Sequence, residues 1–406
     1  MLKLANNNKQ INLFKGFNVK HFSPLIILYV FINSLFVFKY ASRQNYFDVY
    51  ILVLLYIFLL LGVIIFLFKT NFEKHTYKYS FYFFTALFFI FTIYLNIKID
   101  GNNLNVDRWS AMEVAIKALL NNEYPYSAID HLNGRTSNLP ALILIGIPFY
   151  FLGDVGYLQS FSFLLFVFLI HHTFSNYKTR VFGLFLLISS TSFWWEVYTK
   201  SDMMSNFVLI LIFLVLIQNR IYKGKNISII WMAIASVSLL LTRLTAVIPL
   251  SLLLVKKFFS FTARQKLIFI SVGLFIMFLL GALVFKNYSS FQNFKNFNPF
   301  ELQNRQLPLI LSVICILLPF AFSLYIQDLK SLIKSSVLFL SIPIFLAFLL
   351  KINEIGAHNS IINSGFDISY FNIITPFLIF YLIINFNQHI LKKTSVEPKL
   401  PDAFSK

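Results

Sequence analysis

One cysteine in 406 residues, Cys315, lies inside an apolar run. That excludes a disulfide framework and a thiolate metal centre. Charge is also scarce: 12% of the residues are Asp, Glu, Lys or Arg, against about 25% in a soluble globular chain. No G-x-x-x-x-G-K-[ST] loop, G-x-G-x-x-G turn, H-E-x-x-H pair or G-x-S-x-G elbow is present. Nucleotide-driven, zinc-protease and serine-hydrolase chemistry therefore lack their motifs. The 7 histidines do not cluster, and no fixed-period repeat or low-complexity linker breaks the chain. Residues Met1–Phe22 are polar and basic, without the apolar core of a cleavable signal, so the first span is expected to be an uncleaved anchor.

What abounds is apolar: 58% of residues are hydrophobic and 18% aromatic, with 51 phenylalanines. That composition predicts an all-α polytopic integral membrane protein, since in lipid the backbone must satisfy itself inside helices. Apolar runs near 23–40, 47–68, 79–97, 156–174, 180–195, 203–218, 227–241, 244–255, 267–285, 307–326, 336–352 and 371–386 give about 12 membrane helices. The net charge of +18 then reads as membrane orientation rather than nucleic-acid binding. With a cytoplasmic N-terminus, 22 of the 34 basic residues fall on the inner side, as the resistance of Lys and Arg to translocation requires. Both termini are then cytoplasmic. One long helix through 227–255 would reverse the bias downstream, so a break is expected near Arg243. Residues 139–152, bounded by Pro140 and Gly153 and interrupted by Pro148, read as a re-entrant or juxtamembrane helix. The tail from Lys392 reads as disordered.

The acidic residues gather in outer segments. Asp100, Asp107, Glu113, Glu123 and Asp130 follow one apolar span, and Glu196 and Asp202 follow another. A carboxylate at the bilayer centre costs about 2.5–3.5 kcal/mol, so these groups belong at an interface or in a wet cavity. In the first loop, 98–138, Trp109, Met112, Ile116 and Leu119 recur at helical spacing, with Ser110, Glu113, Lys117 and Asn121 opposite. That pattern predicts an amphipathic surface helix. The ordinary role for Asp107, just before it, is an N-cap; a cap uses one carboxylate oxygen and leaves the other available. Tyr124-Pro125-Tyr126 reads as a rigid aromatic turn, followed by Arg135. In the second loop Trp194 and Trp195 mark the interface, and Asp202 with Ser201 again has a capping reading beside a functional one. Asn206, one turn further, is placed to line a cavity. Arg243, between two apolar runs, is too costly to be incidental unless it snorkels. An outward-facing Arg suits a phosphate, which it can grip bidentately.

The order of these features resembles the GT-C superfamily of membrane glycosyltransferases, which includes polyprenyl-phosphate-mannose-dependent mannosyltransferases and the aminoarabinose transferase of lipid A. The resemblance runs from about residue 79 to 255. It rests on a span, an outer-loop Asp, a helix ending "ALLNNEYPY" and then "NLPALILIGIPFYFLGDVGYLQS". Asp107, Leu119-Leu120, Pro125-Tyr126, Pro140 and Gly153 take the positions of the family's loop pattern, Ser201-Asp202 the second-loop acidic position, and "LLLTRLTAVIPL" the later Thr-Arg segment. The chain departs from the family where a single Pro140 replaces a pair, Asn121-Asn122 a glycine, and Ser369 an arginine.

The resemblance implies four parts: a cytoplasmic segment with two extra helices (1–78), a catalytic membrane module (79–255), C-terminal helices (256–391) and a cytoplasmic tail (392–406). It implies transfer of a sugar from a polyprenyl-phosphate carrier to an acceptor hydroxyl on the outer face of the cell membrane, the acceptor being a glycolipid, polysaccharide or protein. Asp107 would be the general base. Asp202 would orient the acceptor, or hold a divalent cation (Mg or Mn) where one is used. Arg243, with Arg135 or Lys200, would stabilise the leaving phosphate, and Tyr126, Glu196 and Asn206 would line the substrate site. Two other readings compete. A polysaccharide polymerase or O-antigen ligase would carry a large Arg-rich late loop, whereas 286–306 holds only Lys286, Lys295 and Arg305. A flippase or transporter would show inverted repeats and charges near the midplane.

Overall fold

Apolar helices form readily here because runs of Leu, Ile and Phe are punctuated by Asp, Asn, Ser and Thr at the capping positions. Asp48, Asn176, Ser190, Ser228, Thr262 and Asp328 each accept a backbone N–H at a helix start, as short polar side chains do at N-caps. The computed structural model describes residues 24–286, 288–304 and 306–396. Among these the protein is helical throughout, with no strand. The helices are α1 (Leu25–Ala41), α2 (Val49–Lys69), α3 (Lys74–Lys98), α4 (Arg108–Leu120), α5 (Pro140–Phe151), α6 (Tyr157–Thr173), α7 (Tyr177–Ile188), α8 (Thr191–Tyr198) and α9 (Met203–Tyr222), followed by α10 (Ile229–Leu240), α11 (Val247–Phe259), α12 (Ala263–Val284), α13 (Tyr288–Asn296), α14 (Pro299–Gln303), α15 (Leu309–Phe322), α16 (Leu329–Ile361) and α17 (Thr375–Val396). The predicted inner segment 1–22 lies outside the described residues. The expected tail begins later than Lys392, because α17 runs on to Val396.

Among the described residues six helical segments are long and apolar enough to cross a membrane: α2, α3, α9, α12, α16 and Ile368–Lys392, which takes in most of α17. The bent pair α7–α8, broken at Ser189-Ser190 with an angle of 58°, would make a seventh. The other predicted spans fall on shorter apolar helices. One of these breaks was expected. Thr242-Arg243 separates α10 from α11, with Arg243 in an extended conformation. Its cause is visible in the hydrogen bonds: the amides of Leu139 and Ala141 donate to Thr242 O and Leu241 O at 3.2 and 3.1 Å. The orphan donors at the start of α5 thus satisfy orphan acceptors at the end of α10.

Ile368–Lys392 is the axis of the bundle, its most apolar window 89% buried, whereas α2, α3 and α12 are each 17% buried. These outer helices present Phe58, Ile90 and Phe278 outward. So wide an apolar surface befits a membrane-embedded protein. A second, smaller core holds α4 onto α5 through Met112, Ile116, Leu119, Leu142 and Ile143. Gly146 permits the close approach: a Cβ there would lie 2.8 Å from both Ile116 Cδ1 and Met112 Sδ.

Polar contacts sort the connecting segments into two sets. In one, Arg108 pairs with Asp367 and Lys200 with Asp154, while Arg243 donates to Asn138 and Gln303 bridges Ser137 O and Leu244 N. In the other, Lys178 donates to Thr70 O, Lys256 to Ile326 O and Lys330 to Gln388. Of the candidate residues, Arg243 and Lys200 make contacts of the first set.

Candidate functional site

Asp107 stands at the start of α4 but does not cap it. Its backbone is in the helical region (φ −85°, ψ −7°), and its side chain accepts no hydrogen bond from the first turn. The carboxylate is half-buried and faces Gly134: a Cβ at Gly134 would lie 3.1 Å from Asp107 Oδ2 and 2.7 Å from Asp130 Oδ2. Glycine therefore lets two carboxylates share one small space. Asp130 uses Oδ1 to accept from the amides of Leu132 and Gly134 at 2.8 and 2.9 Å, an Asx turn of the kind this residue favours. Its Oδ2 is sealed and has no partner among the described residues. His131 secures the turn, bonding Ser110 Oγ through Nδ1 and Leu104 O through Nε2. Ser110, expected on the polar face of α4, is consequently buried.

Burial pushes the Asp107 carboxyl above its usual range, with Asp130 and Asp367 adding to the rise and Arg108 opposing it. A general base works best when its pKa lies near the working pH, so the shift is in the useful direction. Arg108 itself pairs with Asp367, lies 3.4 Å from Ser369 Oγ, and sits 5.8 Å over the Tyr370 ring. Burial works against its charge, but Asp367 foremost, with Tyr370, Asp107 and Asp202, holds the guanidinium above its ordinary value. Burial likewise opposes the charge of Asp367, and Arg108 together with Ser369 holds that carboxyl below its ordinary value. Asp107 and Asp202 both lie within electrostatic reach of Arg108. Ser369 is at this centre, within reach of the Arg108 guanidinium.

Asp202 is also not a cap; its backbone is helical and its side chain makes no cap bond. Glu196 does that work. Its Oε1 accepts from Met204 N at 2.5 Å and Ser205 N at 3.2 Å, and its Oε2 from Asn372 Nδ2 at 2.8 Å. Glu196 is 1% exposed, so it fastens α8 to the start of α9 and to the turn before α17 rather than facing a substrate. Asp202 instead binds Arg243, Nη2 to Oδ2 at 2.6 Å, and the same nitrogen donates to Asn138 Oδ1 at 2.7 Å. Expected as an open fork for phosphate, Arg243 is 3% exposed and engaged in this pair. Asp202 Oδ1 and Arg243 Nε are both sealed without a partner among the described residues.

The remaining expected residues sit apart from this cluster. Lys200 pairs with Asp154 and lies 5.5 Å over the Trp109 ring, while Trp109 Nε1 donates to Asp154 Oδ1 at 2.8 Å. These contacts lock α4 to the second loop. Arg135 is exposed and stacks 4.2 Å over Phe297. Tyr126 is buried in the α4–α5 core against Tyr124. Asn206 is fully buried, both amide atoms lacking a partner among the described residues. A divalent cation at Asp202 does not fit, because the one carboxylate there is neutralised by a guanidinium. No group of three or more His, Cys, Asp or Glu gathers for a metal among the described residues.

Three residues of the cluster, Arg108, Asp367 and Asn138, escaped the sequence reading. Arg108 had one local signal, a cation beside the outer-loop Asp, but its partner Asp367 lies 259 positions away. Asn138 had none. Comparisons with protein-family models, curated proteins and solved structures return no match.

Proposed function

We propose that the protein is a membrane glycosyltransferase of the GT-C type, moving a sugar from a polyprenyl-phosphate carrier to an acceptor hydroxyl, with Asp107 as general base. The observation that carries this reading is Asp107 itself. It is a half-buried carboxylate without a cap bond, raised above the ordinary carboxylate range, beside the Arg108–Asp367 pair.

The two sets of connecting segments support an alternating path of about 12 crossings, in which the site loops share the outer face and the termini are cytoplasmic. The charge bias gives the same orientation. In the reaction the acceptor oxygen attacks the anomeric carbon, the bond from that carbon to the phosphate oxygen breaks, and Asp107 takes the acceptor's proton. The anomeric centre inverts. A phosphate is already a good leaving group, so one base and electrostatic help for the departing oxygen suffice. The Asp202–Arg243–Asn138 unit holds the second loop against the first.

The test is to incubate purified protein with a panel of polyprenyl-phosphate sugars and a glycolipid, polysaccharide or peptide acceptor, and to follow release of free polyprenyl phosphate. Release with one donor, dependent on acceptor, is expected. No release with any pair, together with movement of a lipid-linked sugar between leaflets of reconstituted vesicles, would replace the enzyme with a flippase.

A further inference from the structure

The end of the bundle away from the candidate site has a cavity of its own, of about 550 Å³. It lies between the α2–α3 turn, the start of α7 and the later turns of α17. Helix α3 separates the two places. It starts at Lys74, in the cavity wall, and runs 25 residues to Lys98, shortly before the loop that holds Asp107. At 1.5 Å per residue that is about 37 Å, close to the thickness of a bilayer. Because α2 and α3 are both long and apolar enough to cross a membrane, the cavity lies at one membrane surface.

Lys74, Lys178 and His389 line this cavity, and among the described residues no carboxylate does. Lys178 Nζ donates to Thr70 O at 2.6 Å and lies 6.0 Å from the centre of the Phe386 ring, which fixes the ammonium in the wall. Tyr77 Oη also donates to Thr70 O and accepts from Phe72 N, both at 3.2 Å, so the turn on that side is held in shape. Phe68 meets Phe386 edge-on at 4.6 Å and packs on the His389 ring at 5.5 Å. The wall is therefore part cationic and part aromatic. Segments 69–78, 175–180 and 386–392 add Lys69, Lys78, Arg180 and Lys392, against Glu73 alone. Membrane orientation accounts for cations anywhere in such segments. It does not require two of them to meet in one recess beside aromatic rings.

We propose that this cavity binds the headgroup of an anionic phospholipid, with its phosphate between Lys74 and Lys178 and the start of its chains against Phe72 and Leu391. Phe72 and Leu391 line the cavity and are 48% and 57% exposed, so they offer apolar surface where the chains leave the headgroup. Two ammonium groups without a carboxylate between them favour a headgroup of net negative charge. A zwitterionic headgroup brings its own cation, which the lysines repel. The aromatic wall distinguishes a lipid from free phosphate, which has no apolar part to place there. The consequence is mechanical. Helices α2 and α3 are each only 17% buried, and the lipid would tie their turn to α7 and to α17, the axis of the bundle. A ligand held by the folded state alone stabilises it. The site does not depend on the proposed sugar transfer.

The test is a titration of phosphatidylglycerol into the full-length protein in neutral detergent, read as the rise in unfolding midpoint, with phosphatidylcholine and inorganic phosphate in parallel. Phosphatidylglycerol should raise the midpoint in a saturable way, and neither of the others should. Lys74→Gln and Lys178→Gln should each need roughly tenfold more phosphatidylglycerol for the same rise, as loss of a charge-assisted contact does. Each variant is compared with its own lipid-free midpoint, because Lys178→Gln also loses the bond to Thr70 O. Lys74, which is exposed, carries the cleaner comparison, and Lys74→Arg should respond as wild type. Lys330→Gln removes a cation that bonds Gln388 outside the cavity and should also respond as wild type. An equal rise with phosphatidylcholine, or a wild-type response in Lys74→Gln and Lys178→Gln, overturns the proposal. So does an equal loss in Lys330→Gln, which would mean diffuse surface charge, or an equal rise with inorganic phosphate, which would mean a soluble anion.

Discussion

Asp107→Asn keeps the shape of the side chain, removes its capacity to take a proton, and breaks no helix cap, because none is made. An N-cap lost to Ala costs about 0.5–2 kcal/mol, and here that contribution is absent from the start. The melting temperature of the variant should therefore stay near wild type, or rise slightly as repulsion from Asp130 and Asp367 is relieved. Turnover should behave otherwise. A positioned base contributes about 10²–10⁴-fold, equivalent to about 3–5 kcal/mol of barrier at 1.36 kcal/mol per decade. The pH profile adds an independent readout. Burial, Asp130 and Asp367 raise the carboxyl of the wild type against the pull of Arg108, so the acid limb of kcat/KM should lie above the ordinary carboxylate range. Activity should be lost as pH falls through that point, where Asp107 becomes protonated. In Asp107→Asn the limb should vanish from the residual rate. The assays are release of free polyprenyl phosphate across pH and thermal unfolding in the same detergent. Near-wild-type turnover, or a large fall in melting temperature, refutes the assignment: the first means that the base lies elsewhere, the second that Asp107 is structural.

Asp130→Asn removes a negative charge that raises Asp107, so the acid limb should move to lower pH, read from the same profile; an upward move contradicts the shared space at Gly134. Asp202→Asn or Arg243→Met leaves one buried group without its opposite charge and should destabilise by about 3–5 kcal/mol, whereas the apolar double variant Asp202→Leu, Arg243→Met should cost much less than the two together. Additive losses in denaturant or thermal unfolding would show the 2.6 Å pair to be uncoupled. Glu123→Cys, on an exposed turn of the first loop, should react with a membrane-impermeant thiol reagent in intact cells once Cys315 is replaced; reaction only in broken cells reverses the orientation.

Local patterns carried far in this chain. The amphipathic spacing of Met112, Ile116 and Leu119 marked α4 because a helix repeats its faces every three or four residues. The break beside Arg243 was legible from the charge bias, which one long helix through 227–255 would have reversed downstream. Asp107 and Asp202 stood out as carboxylates in a chain with few. Their ordinary explanation, capping, was equally legible and does not hold: whether a side chain reaches the first turn depends on its backbone angles, and at both positions these are helical.

The sequence by itself determined the class of the protein, the helical segments and the loops that hold its acidic residues, since each depends on composition or on neighbours a few positions apart. Tertiary structure alone decided which charges meet. Arg108 finds Asp367 and Arg243 finds Asp202 across long stretches of chain. The physical reason is that charge interactions depend on distance and desolvation, and packing, rather than order along the chain, sets both.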